Sequence, residues 1–302
     1  MRIGMSLTDQ TGPDALTGLR DQLQQAADDG FASAWISNIF GLDALTALAV
    51  AGRQVPGIEL GTAVVPTYPR HPAALAQQAL TVALAVGGRL ALGVGLSHRL
   101  VIEDMYGQSF ERPARHMREY LSILLPLLNG EAADFDGDTM RAKIGLSVSR
   151  PSLVPVLLAA MAPAMLRLAG ERADGTVLWM TGPATVRDYI APAITQAAAA
   201  AGRPAPRVVC ILPVCVTDDP DQARTRAARI FEIYGQLPSY RAMLDREGAA
   251  GPADVTIAGD EETVGSRIMA LADAGVTDFV AGEFAVGDDA KRTRALLKSL
   301  VR

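Results

Sequence analysis

Metal-ligating and nucleophilic side chains are scarce in this chain of 302 residues, which has three histidines and two cysteines. His71, His98 and His116 form no HxH or HExxH pattern, so the ligand sets of zinc hydrolases are missing. Cys210 and Cys215 lie in one apolar run at a spacing that is neither a CxxC pair nor a disulfide framework. These patterns predict a chain without a metal site and a reduced, cytoplasmic protein.

A strong charge of one sign and long apolar runs are also missing. The chain carries 28 Lys and Arg against 33 Asp and Glu, a formal net charge of −5, and has no basic run. The sequence therefore predicts no nucleic-acid partner and no binding to an anionic membrane. No stretch of about 18 residues is free of charges and of Pro or Gly breaks, which predicts no membrane span. The start, MRIGMSLT, is interrupted too early by Asp9 and Pro13 for a signal peptide.

Motifs for hydrolysis and phosphoryl transfer are absent as well. The GVG at 93–95 is the only GxG and has no third glycine, and neither a Walker loop nor a GxSxG elbow occurs. The acidic run at 134–138 lacks the glycine and the glutamate of an EF-hand loop and is interpreted as a solvated turn. A chain this poor in acid-base groups favours a reaction whose chemistry an organic cofactor carries.

What the sequence does contain is a regular alternation of apolar strands and helices. Strands are predicted at 2–7, 33–37, 58–65, 89–95, 156–160, 176–180, 208–216 and 278–284. Helices are predicted at 14–29, 42–53, 72–86, 113–129, 163–170, 184–201, 221–234, 262–274 and 289–301, with Gly30, Gly170, Gly202 and Gly275 as left-handed C-caps. Eight such units predict an α/β fold of the (β/α)8 TIM-barrel type, in one domain over 1–302. An open doubly wound sheet is the alternative.

Two longer segments interrupt this alternation. Residues 130–154 are predicted to form a hairpin excursion, and residues 235–259 a long lid or connection. In a barrel, active sites lie at the C-terminal ends of the strands, so residues just after each strand become the candidates.

Three of these strand ends could hold a flat cofactor. They are the small-residue run LGTAVVP at 60–66, the segment GVGLSH at 93–98, and AAMAPAM at 159–165, where a helix N-terminus could hold a phosphate. His98 would face the barrel mouth as an acid-base group or cofactor contact, with a structural histidine as the alternative. His71 is interpreted as a helix cap or packing residue, and His116 as a surface residue.

Three stretches together resemble a known family. They are LGTAVVPTYPRHPAALAQQALTV (60–82), GRLALGVGLSH (88–98) and PVLLAAMAPAMLRLAGERADGTVLWM (155–180). The chain resembles the bacterial luciferase-like monooxygenases, a superfamily of (β/α)8 barrels with insertions. Within it, the resemblance is to the oxidoreductases of actinobacteria that depend on the deazaflavin coenzyme F420; members that use FMN share the same stretches.

The resemblance implies a role for several residues. A non-prolyl cis peptide bond would join Ala63 to Val64 and back the deazaflavin ring. The other cofactor contacts it implies are Asn38 after the second strand, Leu96, Ser97 and His98 after the fourth, and a phosphate site at Ala160, Met161 and the helix starting at Pro163.

The chain departs from the sugar-phosphate-oxidising relatives at three places. Ile39 stands where they have a catalytic His, and His98 where they have a Glu. Ala160, Met161 and Ala164 stand at the turn where many members have glycines and a lysine that bears on affinity for the acidic cofactor tail. These departures speak against oxidation of glucose 6-phosphate.

The leading hypothesis is an F420-dependent oxidoreductase that transfers hydride between the deazaflavin and a small organic substrate, with reduction of an activated C=C or C=N bond as the expected direction. The alternatives are an FMN-dependent two-component monooxygenase and a non-catalytic deazaflavin-binding protein. Family members often form homodimers, and the resemblance allows the same assembly for this chain. Five residues in or next to the two insertions are candidates for substrate specificity, and each is also open to interpretation as solvated surface: Arg141, Lys143, Tyr234, Tyr240 and Arg241.

Overall fold

Parallel strands close into a barrel in a computed structural model, which describes residues 1–8 and 11–301. The strands of this described part are β1 (Arg2–Ser6), β2 (Ser33–Ile36), β3 (Glu59–Thr62), β4 (Val65–Pro66), β5 (Leu90–Gly95), β6 (Ala133–Asp136), β7 (Arg141–Ile144), β8 (Val156–Leu158), β9 (Gly175–Trp179), β10 (Arg207–Val216), β11 (Ile257–Gly259) and β12 (Asp278–Glu283). The barrel order is β1, β2, β3, β5, β8, β9, β10 and β12, and each strand is parallel to its neighbours. Pairing of β9 with β10 and of β12 with β1 closes the ring, which confirms the predicted TIM barrel and excludes the open sheet.

Helices surround the barrel and follow the predicted alternation. They are α1 (Ala15–Asp28), α2 (Ala44–Gly52), α3 (Pro72–Ala85), α4 (Pro113–Leu128), α5 (Pro163–Arg172), α6 (Pro183–Thr185), α7 (Ala191–Ala200), α8 (Pro220–Ile230), α9 (Glu232–Gln236), α10 (Pro238–Glu247), α11 (Glu261–Asp273) and α12 (Asp288–Ser299). Two π-helical turns, Leu100–Met105 and Val186–Ile190, and one 3-10 turn, Pro252–Val255, complete the set in the described residues. None of the helices in the described ranges is long and apolar enough to cross a membrane.

The inside of the barrel is filled by a compact apolar layer. Trp35, Ala91, Leu157, Val209 and Val280 belong to one buried cluster contributed by five different strands. The Trp35 ring lies so close to Gly61 that a Cβ on that glycine would stand 2.1 Å from it. A larger cluster joins the outer faces of the strands to the helices, so the barrel is a packed core and its site must lie above this layer.

Charged side chains cluster at the opposite, N-terminal end of the barrel. Arg207 at the start of β10 donates to Glu59 at the start of β3 and to Asp278 at the start of β12, both at 2.8 Å. These two carboxylates raise the pKa of Arg207 above its ordinary value against the opposing effect of burial. The bridge crosses the barrel floor and keeps the charge of the nearly buried Asp278 compensated.

Some predicted boundaries are wrong for identifiable reasons. The strand predicted at 58–65 divides into β3 and β4, because the chain bulges at Ala63 and Val64. The predicted lid at 235–259 instead contains α10 and β11, and β11 pairs with the end of β10. Its three residues were too short a signal to separate from a loop.

Gly170 is also not the C-cap that its position suggested. It lies inside α5, where a Cβ would stand 2.5 Å from the carbonyl oxygen of Ile194 in α7, so close helix packing requires the glycine. Gly30, Gly202 and Gly275 do have the predicted positive φ. The hairpin predicted within 130–154 is present as the antiparallel pair β6 and β7.

Candidate active site

A cavity of about 520 Å³ opens at the C-terminal end of the barrel. Three segments of the chain build its outer wall: the loop after β2, the π-helical turn after β5, and α9 with the start of α10. The volume lies within the usual range for small-molecule sites of roughly 300–1,000 Å³. Its place above the packed interior layer is where TIM barrels have their active sites.

The floor of the cavity includes the bulge between β3 and β4. The peptide bond from Ala63 to Val64 is cis, as the sequence resemblance implied, and both residues line the cavity. The two glycines of the GVG motif make room for this bulge. A Cβ on Gly95 would stand 2.6 Å from Val64 Cγ2, and one on Gly93 would stand 2.0 Å from the carbonyl oxygen of Thr62. The motif therefore serves close packing of β5 against the bulge.

Asn38, Ser97 and His98 place polar groups in the cavity wall. Asn38 Oδ1 accepts a hydrogen bond from Ala44 N at 3.0 Å, which fixes the side chain and leaves its amide N–H groups free to donate. Ser97 has φ 60°, a left-handed conformation that turns the chain sharply at the end of β5.

His98 follows this turn and packs its ring against Tyr240 at a centroid distance of 5.6 Å. Burial lowers the pKa of His98 below its ordinary value. The ring is therefore neutral around pH 7, with one nitrogen able to donate and the other to accept.

Aromatic side chains form one side of the cavity, and of these the sequence interpretation missed Trp179. Tyr240, Tyr234 and Trp179 continue from His98 in a chain of ring contacts at 5.2 and 5.7 Å. Tyr234 and Tyr240 were open to interpretation as surface, and that alternative is wrong for both. The available signal was composition: aromatic residues make up only 5% of the chain, yet three of them line one wall. Arg141 and Lys143 do lie on the exposed hairpin, away from the cavity.

The predicted phosphate turn lies beside the cavity, outside its lining. Ala160 is fully buried, and Met161 accepts a hydrogen bond from the Tyr189 hydroxyl at 3.0 Å through its carbonyl oxygen. Pro163 begins α5 and lines a separate surface groove of about 370 Å³ between α5 and α7. Leu96, also predicted as a contact, packs half-buried against the main core. The structure thus brings Asn38, Ala63, Val64, Ser97 and His98 together in one cavity and places Leu96, Ala160, Met161 and Pro163 around it.

The other two histidines have structural surroundings. His71 accepts a hydrogen bond from Ala73 N at 3.2 Å and caps α3, as predicted. His116 was predicted at the surface and is instead 7% exposed, stacked on Tyr68 at 3.8 Å and hydrogen-bonded to Thr67 at 3.0 Å. Its burial lowers its pKa to about 4. The neighbours of His116 in the sequence are an Arg and a Met, so the local pattern did not indicate that this position faces inward.

The cavity offers few groups for acid-base chemistry. The described residues that line it include no Asp, Glu, Lys or Arg, and His98 is the only one whose ordinary pKa lies near neutrality. Within the described residues no group of three His, Cys, Asp or Glu side chains is arranged to hold a metal ion. Such a wall can bind and orient a flat apolar group and handle one proton.

Comparison with known proteins gives a consistent result. The family model for luciferase-like monooxygenases matches residues 1–300. The 5,10-methylenetetrahydromethanopterin reductase of Archaeoglobus fulgidus is 30% identical over 314 aligned residues, which cover 90% of this chain and 91% of that protein.

Solved structures match the fold over nearly the whole chain. The coenzyme F420-dependent tetrahydromethanopterin reductase of Methanopyrus kandleri superposes with a TM-score of 0.83 at 23% identity, covering 99% of this chain and 98% of that one. The oxygenating constituent of the 3,6-diketocamphane monooxygenase of Pseudomonas putida, a structure with FMN, gives a TM-score of 0.78 at 18% identity, with 100% and 97% covered. At these identities the likeness concerns the barrel itself.

Proposed function

The chain belongs to the luciferase-like monooxygenase family, and we propose that it is an oxidoreductase that uses coenzyme F420 to transfer hydride to or from a small organic substrate. The observation that carries the proposal is the apolar cavity at the barrel mouth, floored by the bulge at Ala63 and Val64. The reductase names of the relatives from Archaeoglobus fulgidus and Methanopyrus kandleri support reduction as the direction, and one of those names specifies F420.

The residues present suit a flat, tricyclic ring. Ala63 and Val64 offer small aliphatic side chains on the floor, and Trp179 offers a large aromatic surface in the side wall. The indole N–H of Trp179 is buried without a hydrogen-bond partner among the described residues. Aliphatic and aromatic walls with a few polar groups are typical of cofactor sites.

F420, when bound, supplies a carbon centre that gives or accepts hydride, so the protein needs to add little chemistry of its own. The side chains bind, orient and exclude water. The amide N–H groups of Asn38 would donate to a ring carbonyl, since the Asn38 oxygen already accepts from Ala44 N. The turn at Ala160 and Met161, followed by the α5 N-terminus, would hold the phosphate through backbone N–H groups.

His98 would hold or move the one proton that accompanies hydride transfer. Its ring lies in the cavity wall and makes no hydrogen bond to the residues described, so both nitrogens remain available to a substrate. Reduction of an activated C=C or C=N bond needs one hydride and one proton. A single neutral histidine can donate that proton and is then reprotonated from solvent.

Anaerobic mixing of the protein with reduced F420 and an activated alkene or imine tests this function. We expect substrate-dependent return of the visible absorbance of oxidised F420. His98→Gln should lower the first-order rate by roughly 100-fold, within the usual range for acid-base groups, while leaving cofactor affinity within about threefold. His71→Gln, which changes a histidine outside the cavity, is the matched control.

Two other results would replace this proposal. Oxygen uptake that requires reduced FMN and ignores F420 would assign the chain to the FMN-dependent monooxygenases. Tight F420 binding without turnover for a broad set of alkenes, imines, ketones and alcohols would indicate a deazaflavin-binding protein.

A further inference from the structure

The outer part of the cavity carries apolar side chains that are exposed to solvent. Phe40 is 64% exposed, Met105 57%, and Ile39 and Ile233 51% each. They come from three separate segments and converge on one cavity. Surface residues of this kind, gathered around a pocket, mark a place where an apolar ligand displaces water.

Formal charge is missing from the same surface. The described lining residues contain no acidic or basic side chain apart from His98, which is neutral around pH 7 because burial lowers its pKa. The cations beside this lining are already paired with carboxylates, Arg99 with Glu103 and Arg70 with Asp43. The described lining has no cationic side chain to compensate the charge of a phosphate or a carboxylate, and the hydrogen-bond donors it offers are neutral.

From the exposed apolar side chains and the missing charges together, we infer that the substrate of this cavity is a neutral, largely apolar molecule, with phosphorylated and carboxylated molecules of the same size rejected. This inference rests on the proposed function and specifies its substrate class. The physical reason is that a buried ionic group without a partner loses its hydration and gains no compensating interaction. The aromatic wall of Tyr240, Tyr234 and Trp179 adds a surface on which an unsaturated ring can pack.

Two ligands of closely similar size, one neutral and one charged, test the inference: a cyclic enone with a methyl ester substituent and the corresponding free acid, ionised at pH 7.5. Binding is followed by tryptophan fluorescence without cofactor. The chain has two tryptophans, of which Trp35 is fully buried in the barrel and Trp179 lines the cavity. We expect the ester to bind roughly 100-fold more tightly than the acid, from the cost of an unpaired buried charge. Trp179→Phe should remove the signal.

A lysine placed at the outer edge of the cavity should reduce the difference in affinity between the ester and the acid. Met105→Lys introduces a cation at a position exposed enough to keep its charge in water, and we expect the affinity for the acid to rise about threefold relative to that for the ester. Leu153→Lys is the matched control, since Leu153 is 70% exposed and lies outside the cavity. Equal binding of ester and acid to the unchanged protein, or equal effects of the two lysines, would overturn the inference.

Failure of this inference and failure of the proposed function are distinguishable. Preferential binding of the ester by a protein that does not bind F420 would support the neutral-ligand site and refute the cofactor proposal. Binding of F420 together with equal affinity for ester and acid would refute the neutral-ligand inference alone.

Discussion

Replacing Gly95 by alanine tests how the cavity floor is built. A Cβ at this position would stand 2.6 Å from Val64 Cγ2 and 3.1 Å from Ala159 Cβ. The first distance is roughly 1 Å shorter than an ordinary carbon contact, so Val64 would have to move. Overpacking of this size costs about 1–3 kcal/mol, and we expect Gly95→Ala to lower the free energy of unfolding by about 2 kcal/mol.

Removing the opposing side chain should relieve the clash. Val64→Ala alone should cost about 1 kcal/mol, because Val64 is only partly buried at the cavity floor. In the double variant the new methyl group meets only the Ala159 contact, which is short by a few tenths of an ångström. The two changes together should therefore cost less than their sum by roughly 1–2 kcal/mol.

Gly93 supplies the matched control. A Cβ there would stand 2.0 Å from the carbonyl oxygen of Thr62 and 3.0 Å from Val64 Cγ1. The main obstacle is backbone, so Gly93→Ala should cost more than about 3 kcal/mol, and Val64→Ala should not restore it. Urea unfolding of the five variants and the unchanged protein measures both coupling energies. A tolerated Gly95→Ala, or equal rescue of both glycine variants, would refute this account of the GVG motif.

Three further changes have defined outcomes. The pKa of His116 is about 4 in the folded protein against 6.5 in the unfolded chain. The free energy of unfolding should therefore be constant above pH 6.5 and fall by up to about 3 kcal/mol as the pH is lowered to 4. His116→Gln should remove this fall from the urea-unfolding profile. Arg207→Met should cost about 3 kcal/mol in urea unfolding, because it leaves the buried carboxylate of Asp278 with the longer ion pair to Arg2 and the hydrogen bond from Thr277 Oγ1, and with no close cation. Ala63→Phe should fill the cavity and weaken F420 binding at least tenfold, measured by calorimetry, with little change in the melting temperature.

Each of these has an outcome against it. An unchanged pH profile in His116→Gln would show that another group titrates. If the free energy of unfolding of Arg207→Met lies within about 0.5 kcal/mol of that of the unchanged protein, the ion pair between Arg207 and Asp278 is as weak as an exposed surface pair. Unimpaired F420 binding by Ala63→Phe would mean that the ring lies elsewhere.

The barrel could be predicted from the sequence because its strands are continuous apolar runs, each followed by a helix with a marked end. The run 89–95 and strand β5, Leu90–Gly95, differ by one residue. The interruption between β3 and β4 had no signal in hydrophobic periodicity, since Ala63 and Val64 continue the apolar run. It followed only from the family resemblance.

The site was predictable where it depends on the strand ends and not where it depends on the insertions. Asn38 lies two residues after the end of β2 and His98 three residues after the end of β5, so topology alone places them at the mouth. Tyr234 and Tyr240 belong to a segment whose path depends on tertiary packing, including the ring contact between Tyr240 and His98. Sequence spacing carries no information on such a contact between residues so distant in the chain.

A calorimetric titration of the protein with F420, and in parallel with FMN under the same conditions, tests the central claim most directly. The account predicts binding of F420 with a dissociation constant in about the micromolar range or below, and binding of FMN at least tenfold weaker. Tight binding of FMN with no detectable binding of F420 would contradict it.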